Sequence, residues 1–371
     1  MSHQPYTPMP AILLTGGAGF LGKAIIHELL EPGSPLKPSF VRVFDLQDNP
    51  GFTDPRVRWI KGDIRDAATV HSACAGIDIV IHSAAVVDWG TKPEAELLSV
   101  NAGGTENIVH ACLHHGVKCL VYTSSLDAIF GGNPMVDIDE SVPYPERHPN
   151  AYCRSKYLAE KLILDTVSGI QDKQNANSGV SSDIQHPATY MLKSCILRPS
   201  DIWGEGDPYH IGSLIDMAKG GFYVRLGDGT SLSQHVYVGN MAWAHVLAAD
   251  ALWTENPKVA GNVYFITDAP PSNFFIFFER IVKDSGYSTW PGNFWIPRKV
   301  AYTLGALSEL IAVLVSPVKK YTVKFSRFAV TYTCGDFTFR TEKAKQDFGF
   351  QPKYSGEESY ERTISFYRKN R

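Results

Sequence analysis

The stretch Ala11-Ile-Leu-Leu-Thr-Gly-Gly-Ala-Gly-Phe-Leu-Gly22 decides how the rest of the chain is read. A short apolar run that ends in glycines reads as a parallel strand buried on both faces. From Phe20 to Leu30 the apolar spacing turns helical. A strand, a glycine turn and a helix N-terminus make an anion-binding corner. Backbone N–H groups and the helix dipole attract a pyrophosphate there, and the missing side chains let it approach. The glycines fall as Gly16-x-x-Gly19-x-x-Gly22, with Gly17 added. Ordinary tight turns carry such spacing too, so its meaning depends on the residues downstream.

Working outward, Glu31-Pro-Gly-Ser-Pro-Leu-Lys-Pro38 stops the helix, and Phe40-Val-Arg-Val-Phe-Asp45 is the second strand. Further strands are predicted at Val57–Lys61, Ile77–His82, Cys119–Ser124 and Cys195–Pro199, with helices between them at Thr69–Cys74 and Thr105–His115. Alternation of this kind predicts an α/β protein with a doubly wound parallel (Rossmann) sheet. The polar segment Ser168–Pro187 is expected to be a solvated excursion. Beyond Pro199 the glycines at 204, 206, 212, 220, 221, 227 and 229 break the pattern. His235–Asn240 then leads into a helical Met241–Trp253, and Gly261–Thr267 reads as a strand returning to the main sheet. The expected division is a dinucleotide-binding domain at 9–200, joined by 234–268. A smaller, discontinuous C-terminal substrate-binding domain takes 201–233 and 269–371.

Asp45 ends the second strand, where a carboxylate can accept hydrogen bonds from ribose hydroxyls and repel a 2′-phosphate. That favours NAD over NADP; the alternative is a turn or helix cap. The proline-rich insert at 32–38 accounts for its distance from the glycines. Asp63 and Ile64 follow the third strand, near where an adenine would lie, although Asp63 serves equally as a turn residue. His82-Ser-Ala-Ala85 follows the fourth strand, and the small Ala84 and Ala85 permit close passage of a cofactor; His82 reads as structural. Phe20 and Leu21 open the first helix, and Pro199 closes a strand, so both join the candidate cofactor wall.

Tyr152 and Lys156 stand one helical turn apart in Asn-Ala-Tyr-Cys-Arg-Ser-Lys-Tyr-Leu-Ala-Glu-Lys (150–161), so both can face one cleft. A free phenol titrates near ~10 and is a weak base at neutral pH. An ammonium beside it favours the phenolate and makes proton exchange with an alcohol feasible. Tyr122-Thr-Ser-Ser125 ends the fifth strand, where a serine hydroxyl can hold the substrate oxygen. Asn101 either orients Lys156, binds backbone inside the site or caps a helix.

The bulk numbers narrow the classes. The chain has 371 residues, 44% of them hydrophobic, and a formal charge of −3, which gives nucleic acid no electrostatic preference. Its six cysteines show no CxxC pair and no metal-ligand spacing, so no metal site is expected. The first ten residues lack the pattern of a secretory signal. Val300–Val318 is apolar except for Tyr302, Thr303, Ser308, Glu309 and Ser316, and basic pairs flank it. As a helix it would run about 28 Å. Glu309 argues against a lipid-exposed span, leaving an interfacial helix or a packing helix.

Taken together, the chain resembles an extended short-chain dehydrogenase/reductase, specifically the 3β-hydroxysteroid dehydrogenase family. The resemblance is carried by Thr15–Gly22, Val43-Phe-Asp45, Val100-Asn-Ala-Gly-Gly-Thr105, Val121-Tyr-Thr-Ser-Ser125 and Tyr152-Cys-Arg-Ser-Lys156. Leu197-Arg-Pro-Ser-Asp-Ile-Trp-Gly204 and His235–His245 extend it, and Phe337–Phe350 resembles the family's C-terminal strand and helix. Trp203 stands where the family more often has tyrosine. The resemblance implies NAD-dependent oxidation of a 3β-hydroxysterol, open to coupled isomerisation or C4 decarboxylation. It makes Tyr152 the proton acceptor and Lys156 and Ser125 its partners, with Ser124 the fallback. Phe274–Phe278, Trp290, Phe294 and Trp295 suit an apolar ligand. The expected setting is cytoplasmic, with peripheral membrane association through 298–320 at a cytosolic face (endoplasmic reticulum in a eukaryote) and a possible homodimer. The competing readings are a sugar-nucleotide epimerase or dehydratase of the same fold and a non-catalytic NAD-sensing scaffold.

Overall fold

The computed structural model describes residues 8–175, 192–315 and 326–371. Seven strands form one sheet: β1 (Ala11–Thr15), β2 (Phe40–Asp45), β3 (Val57–Lys61), β4 (Ile79–His82), β5 (Cys119–Thr123), β6 (Lys193–Pro199) and β7 (Asn262–Ile266). Their order is β7-β6-β5-β4-β1-β2-β3, and every pairing is parallel. The chain winds outward from β1 to β3, crosses back to β4, and continues away through β7. The connections that leave β1 and β4 therefore diverge, and a crevice opens at the carboxyl ends of these two strands.

Side-chain alternation puts both faces of each strand into a core. Ile12, Leu14, Val41 and Val43 face one layer, with Ile25, Ile26 and Leu29 from the helix Phe20–Leu30 and Met241 from the helix Val238–Trp253. Leu13, Phe44, Val80 and Leu120 face the other. Val70, Ile108, Ala159 and Ile163, from the helices Ala67–Cys74, Gly104–His115 and Ala151–Asn175, cover them. Each fully buried Leu, Ile or Val contributes about 1.5–3 kcal/mol, so this double layer dominates the stability. Element ends shift by a few residues from those read in the sequence. One difference is larger: the helix Ala151–Asn175 runs through 168–175, where a solvated excursion was expected. That stretch is polar but holds no proline to stop a helix. The remainder of the expected excursion, 176–187, lies outside the described residues.

Among the described residues, three short parallel pairs stand apart from this sheet. His235–Tyr237 pairs with Asp201–Trp203, Trp295–Ile296 with Arg225–Leu226, and Phe337–Phe339 with Met135–Ile138. The helix Arg298–Val315 lays its inner face on Ser326 and the helix Arg327–Thr333. Ala301 is buried, and Gly305 touches backbone there; a Cβ on it would stand 2.9 Å from the Arg327 nitrogen. Glu309 accepts from the Arg327 N–H and Nε, each at 2.7 Å, so this charge faces protein. Val300, Leu304, Leu307, Ile311 and Leu314 form an exposed stripe opposite. Among the described residues no helix is long and apolar enough to cross a membrane. Residues 316–320 of the interfacial reading lie outside them.

Candidate active site

One cavity of about 410 Å³ occupies the crevice. That lies within the ~300–1,000 Å³ range of small-molecule clefts. Its floor is the glycine corner. Gly16 takes φ +77°, a left-handed conformation that favours glycine, and a Cβ on Gly22 would stand 2.1 Å from the Gly16 carbonyl oxygen. The helix that starts at Phe20 has no side-chain cap, so the first-turn N–H groups have no side-chain acceptor. This is the cradle a pyrophosphate fits.

Gly16, Gly19, Phe20, Leu21, Gly22, Asp45, Asp63, Ile64, Ala84, Ala85, Ser125, Tyr152, Lys156 and Pro199 all line the cavity. Asp45 Oδ2 accepts the Ala18 N–H at 3.0 Å and Oδ1 accepts the Gln47 N–H at 2.9 Å. The carboxylate thus braces the glycine loop while it lines the cavity. Asp63 is held by Arg65, whose guanidinium fixes it as a turn anchor and lowers its pKa. Asn101 is the one candidate outside this wall. Buried in the π-helical stretch Leu98–Gly103, it donates to the Val86 carbonyl (2.9 Å) and Ser155 Oγ (3.0 Å) and accepts the Val86 N–H (2.8 Å). It caps no helix and makes no direct hydrogen bond to Lys156; its side chain binds backbone and fixes the Val86 loop, which does line the cavity. His82 is structural: Nδ1 meets Thr15 Oγ1 at 2.7 Å and Nε2 meets Thr105 Oγ1 at 3.0 Å. Burial, with help from the Lys156 charge, lowers its pKa to about 3.

Tyr152 and Lys156 project from the same helix into the cavity. Lys156 Nζ donates to the Thr123 carbonyl at 2.8 Å and to Tyr122 Oη at 3.3 Å. Burial lowers the ammonium to about 8, against the pull of Glu160 and Asp127. Glu160, one turn along the helix, is itself locked to Arg198 at 2.6 Å with both groups buried. The expectation that Lys156 depresses the Tyr152 phenol is corrected. Burial pushes that phenol well above its ordinary value, and the Asp127 carboxyl pushes it further. Ser125 Oγ donates to Asp127 Oδ2 at 2.7 Å, whereas Ser124, which also lines the cavity, has a buried Oγ without a partner among the described residues.

Trp89, Asp201, Tyr209, His210, Phe328 and Tyr332 also line the cavity. Tyr332 Oη donates to Asp201 Oδ1 at 2.7 Å, and His210 stands 3.5 Å from both Asp201 and Asp207. The sequence reading assigned the aromatic wall elsewhere, and this is a correction. Phe274, Phe275 and Phe278 are packed into the core, and Trp290 and Phe294 face solvent. Trp203 is also away from this cavity, against Tyr237 and Phe277. Of the missed residues, only Asp127 left a sequence signal, two positions after the strand-end serine. The others reach the cavity from distant parts of the chain.

Comparison with known proteins matches residues 13–293 to the model of the 3-beta hydroxysteroid dehydrogenase/isomerase family. The chain belongs to that family. It is 34% identical over 358 residues to short-chain dehydrogenase/reductase family 42E member 1 of Mus musculus, covering 94% of this chain and 86% of that protein. It is 32% identical to the 3 beta-hydroxysteroid dehydrogenase type 7 of the same species, covering 99% and 98%. These relatives place the family member among oxidoreductases. Among solved structures, it is similar to a dTDP-glucose 4,6-dehydratase from Streptomyces venezuelae with NAD bound (TM-score 0.71, 21% identity, 97% and 98% covered). It is also similar to a UDP-glucose 4-epimerase from Thermotoga maritima (TM-score 0.67, 22% identity, 97% and 99% covered). At those identities the likeness establishes the Rossmann-type, extended short-chain dehydrogenase fold.

Proposed function

We propose that this chain is an NAD-dependent 3β-hydroxysteroid dehydrogenase that oxidises a neutral sterol alcohol to the 3-ketone. The observation that carries the reading is one cavity lined by three sets of groups: the glycine corner, Tyr152, Lys156 and Ser125, and the aromatic Trp89, Tyr209, Phe328 and Tyr332. Gly16, Gly19, the first turn at Phe20–Gly22 and Asp45 would hold NAD, which supplies a hydride acceptor when bound. Tyr152 is the proton acceptor for the alcohol, and Ser125 positions its oxygen. Lys156, anchored by Thr123 and braced by the buried Glu160, keeps a positive charge where the phenolate forms. The segments 201–233 and 269–371 act as the substrate-binding part, because Asp201, Tyr209, His210, Phe328 and Tyr332 close the cavity from that side.

Charge separates this reading from a sugar-nucleotide epimerase or dehydratase. Among the described residues, the cations lining the cavity are Arg65, Lys156 and His210. Arg65 is paired with Asp63, and His210 is bracketed by two aspartates, so neither of these two is free to hold a diphosphate. Asp127 and Asp201 on the same side oppose a 4-carboxylate, which favours simple alcohol oxidation over decarboxylation. The test is NADH formation from 3β-hydroxysterols, 4-carboxysterols and UDP-sugars, with products identified by mass. Turnover of neutral hydroxysterols is expected, and turnover confined to UDP-sugars would remove the proposal.

Peripheral membrane contact is part of the same reading. The exposed stripe Val300–Leu314 follows the exposed Trp290 and Phe294 and the basic pair Arg298-Lys299. Aromatic side chains, a basic entry and an apolar face suit an anionic lipid surface, where a sterol would partition.

A further inference from the structure

His71 stands in the last turn of the helix Ala67–Cys74, and His114 and His115 end the helix Gly104–His115. The sequence reading expected no metal site because it looked to cysteine spacing, whereas these histidines come from separate stretches of chain. The two helices pack together on one face of the sheet. Val70, Ala73 and Cys74 of the first and Ile108, Ala111 and Cys112 of the second share one core layer. That packing gathers the three imidazoles, with ring centroids 4.2, 4.4 and 5.0 Å apart. One nitrogen from each ring lies within 4.8 Å of the other two, and His115 Nε2 stands 3.2 Å from His71 Nδ1. His71 and His114 are exposed and His115 is half-buried, so an ion can reach the cluster from solvent. None of the three lines the active-site cavity.

Two nitrogens held by one tetrahedral zinc at about 2.0–2.1 Å stand about 3.4 Å apart. The spacing of His71 and His115 already matches that, and a rotamer change of the exposed His114 closes the rest. A neutral imidazole keeps one nitrogen lone pair for a ligand. An all-imidazole donor set suits zinc, copper or nickel rather than calcium or magnesium. The last turn of Gly104–His115 supplies two of the donors, at the end where a helix dipole favours a cation. Arg42 already serves that end of the other helix, donating to the Ala73 and Ala75 carbonyls. Both carriers are helices seated in a shared core, which holds ligands more firmly than loops do.

We propose that His71, His114 and His115 bind one zinc ion, with water in the fourth position, and that the ion ties the helix Ala67–Cys74 to the helix Gly104–His115. It clamps the layer that covers the sheet and takes no part in alcohol oxidation.

The test uses the untagged full chain, stripped with a chelator and dialysed. Calorimetric titration with zinc alone should show one ion per chain. His71→Gln and His115→Gln should each weaken it at least about 10–100-fold, the loss that follows even when a metal ligand loses its outer partner. His27→Gln, an exposed histidine on another helix, should leave it unchanged. At free zinc about 100 times Kd, the wild-type unfolding constant should fall about 100-fold, with no such change in His71→Gln at the same concentration. Copper, which the same donors hold more tightly, supplies a readout of the ligands themselves. One equivalent should give an electron paramagnetic resonance spectrum split by three nitrogens in wild type and by two in His114→Gln. Zinc affinity unchanged in both His71→Gln and His115→Gln overturns the inference. Wild-type binding weaker than about 1 mM does the same, since that is adventitious capture. Fewer than three nitrogens in the wild-type copper spectrum also overturns it, even if a variant fails to fold.

Discussion

At the residue scale, two positions separate chemistry from scaffolding. Tyr152→Phe removes one oxygen from a buried ring that already fits its site. The expected outcome is a kcat lower by about 10²–10⁴-fold, a nearly unchanged KM and an unaltered circular dichroism spectrum. Retained turnover would return the chain to the non-catalytic scaffold reading. Gly22→Ala tests the cradle, because its Cβ would stand 2.1 Å from the Gly16 oxygen and 2.6 Å from Gly17 Cα. Overpacking of this kind costs about 1–3 kcal/mol, and the loop must shift where the pyrophosphate would lie. Weaker NAD binding by calorimetry and a lower unfolding midpoint are expected together. Gly22, Tyr152 and Lys156 were legible in the sequence because strict local geometry ties each to its neighbours: a close approach in one case, one helical turn in the other. The state of the Tyr152 phenol was not legible, since burial and Asp127 act on it from outside its own helix.

At the element scale, the junction after β6 depends on a buried charge cluster. Asp201, in the short strand Asp201–Trp203, meets His210 at the start of the helix Ile211–Lys219. Burial alone would lower the imidazole, yet the Asp201 and Asp207 carboxylates outweigh it and raise its pKa to about 10. Asp201 is correspondingly held below the usual carboxylate range; burial would raise it, but His210 and His235 prevail. A raised folded-state pKa stabilises fully below the unfolded value near ~6.5 and is lost as pH climbs through about 10. The stability advantage of wild type over His210→Gln should therefore shrink steadily from pH 6.5 to pH 10. Urea midpoints at matched m-values measure it, and a constant difference would show that His210 acts as a neutral packing group. No local pattern announces this cluster, because 201, 207 and 210 are spaced as an ordinary glycine-rich loop.

At the scale of the whole molecule, the open question is where the substrate enters from. The helix Arg298–Val315 turns Glu309 inward and leaves an apolar stripe outward. The double variant Leu307→Glu/Leu314→Glu should co-sediment less with anionic liposomes, while its turnover of detergent-dispersed sterol stays near wild type. Equal sedimentation of the two proteins would count against a lipid-facing role for this stripe. Glu309 looked like an obstacle in the sequence. The fold resolves it with an Arg327 partner that is close in space and 18 residues away in the chain.

The sequence by itself determined the parallel sheet, the glycine corner and the shared face of Tyr152 and Lys156. Each depends on periodicity or steric fit within a few residues, which a linear string records. Tertiary structure alone decided the aromatic wall of Trp89, Phe328 and Tyr332, the tie between Ser125 and Asp127 within the closed cavity, and the charge states there. Burial and long-range Coulomb forces depend on which distant segments meet, and only the folded chain brings those segments together.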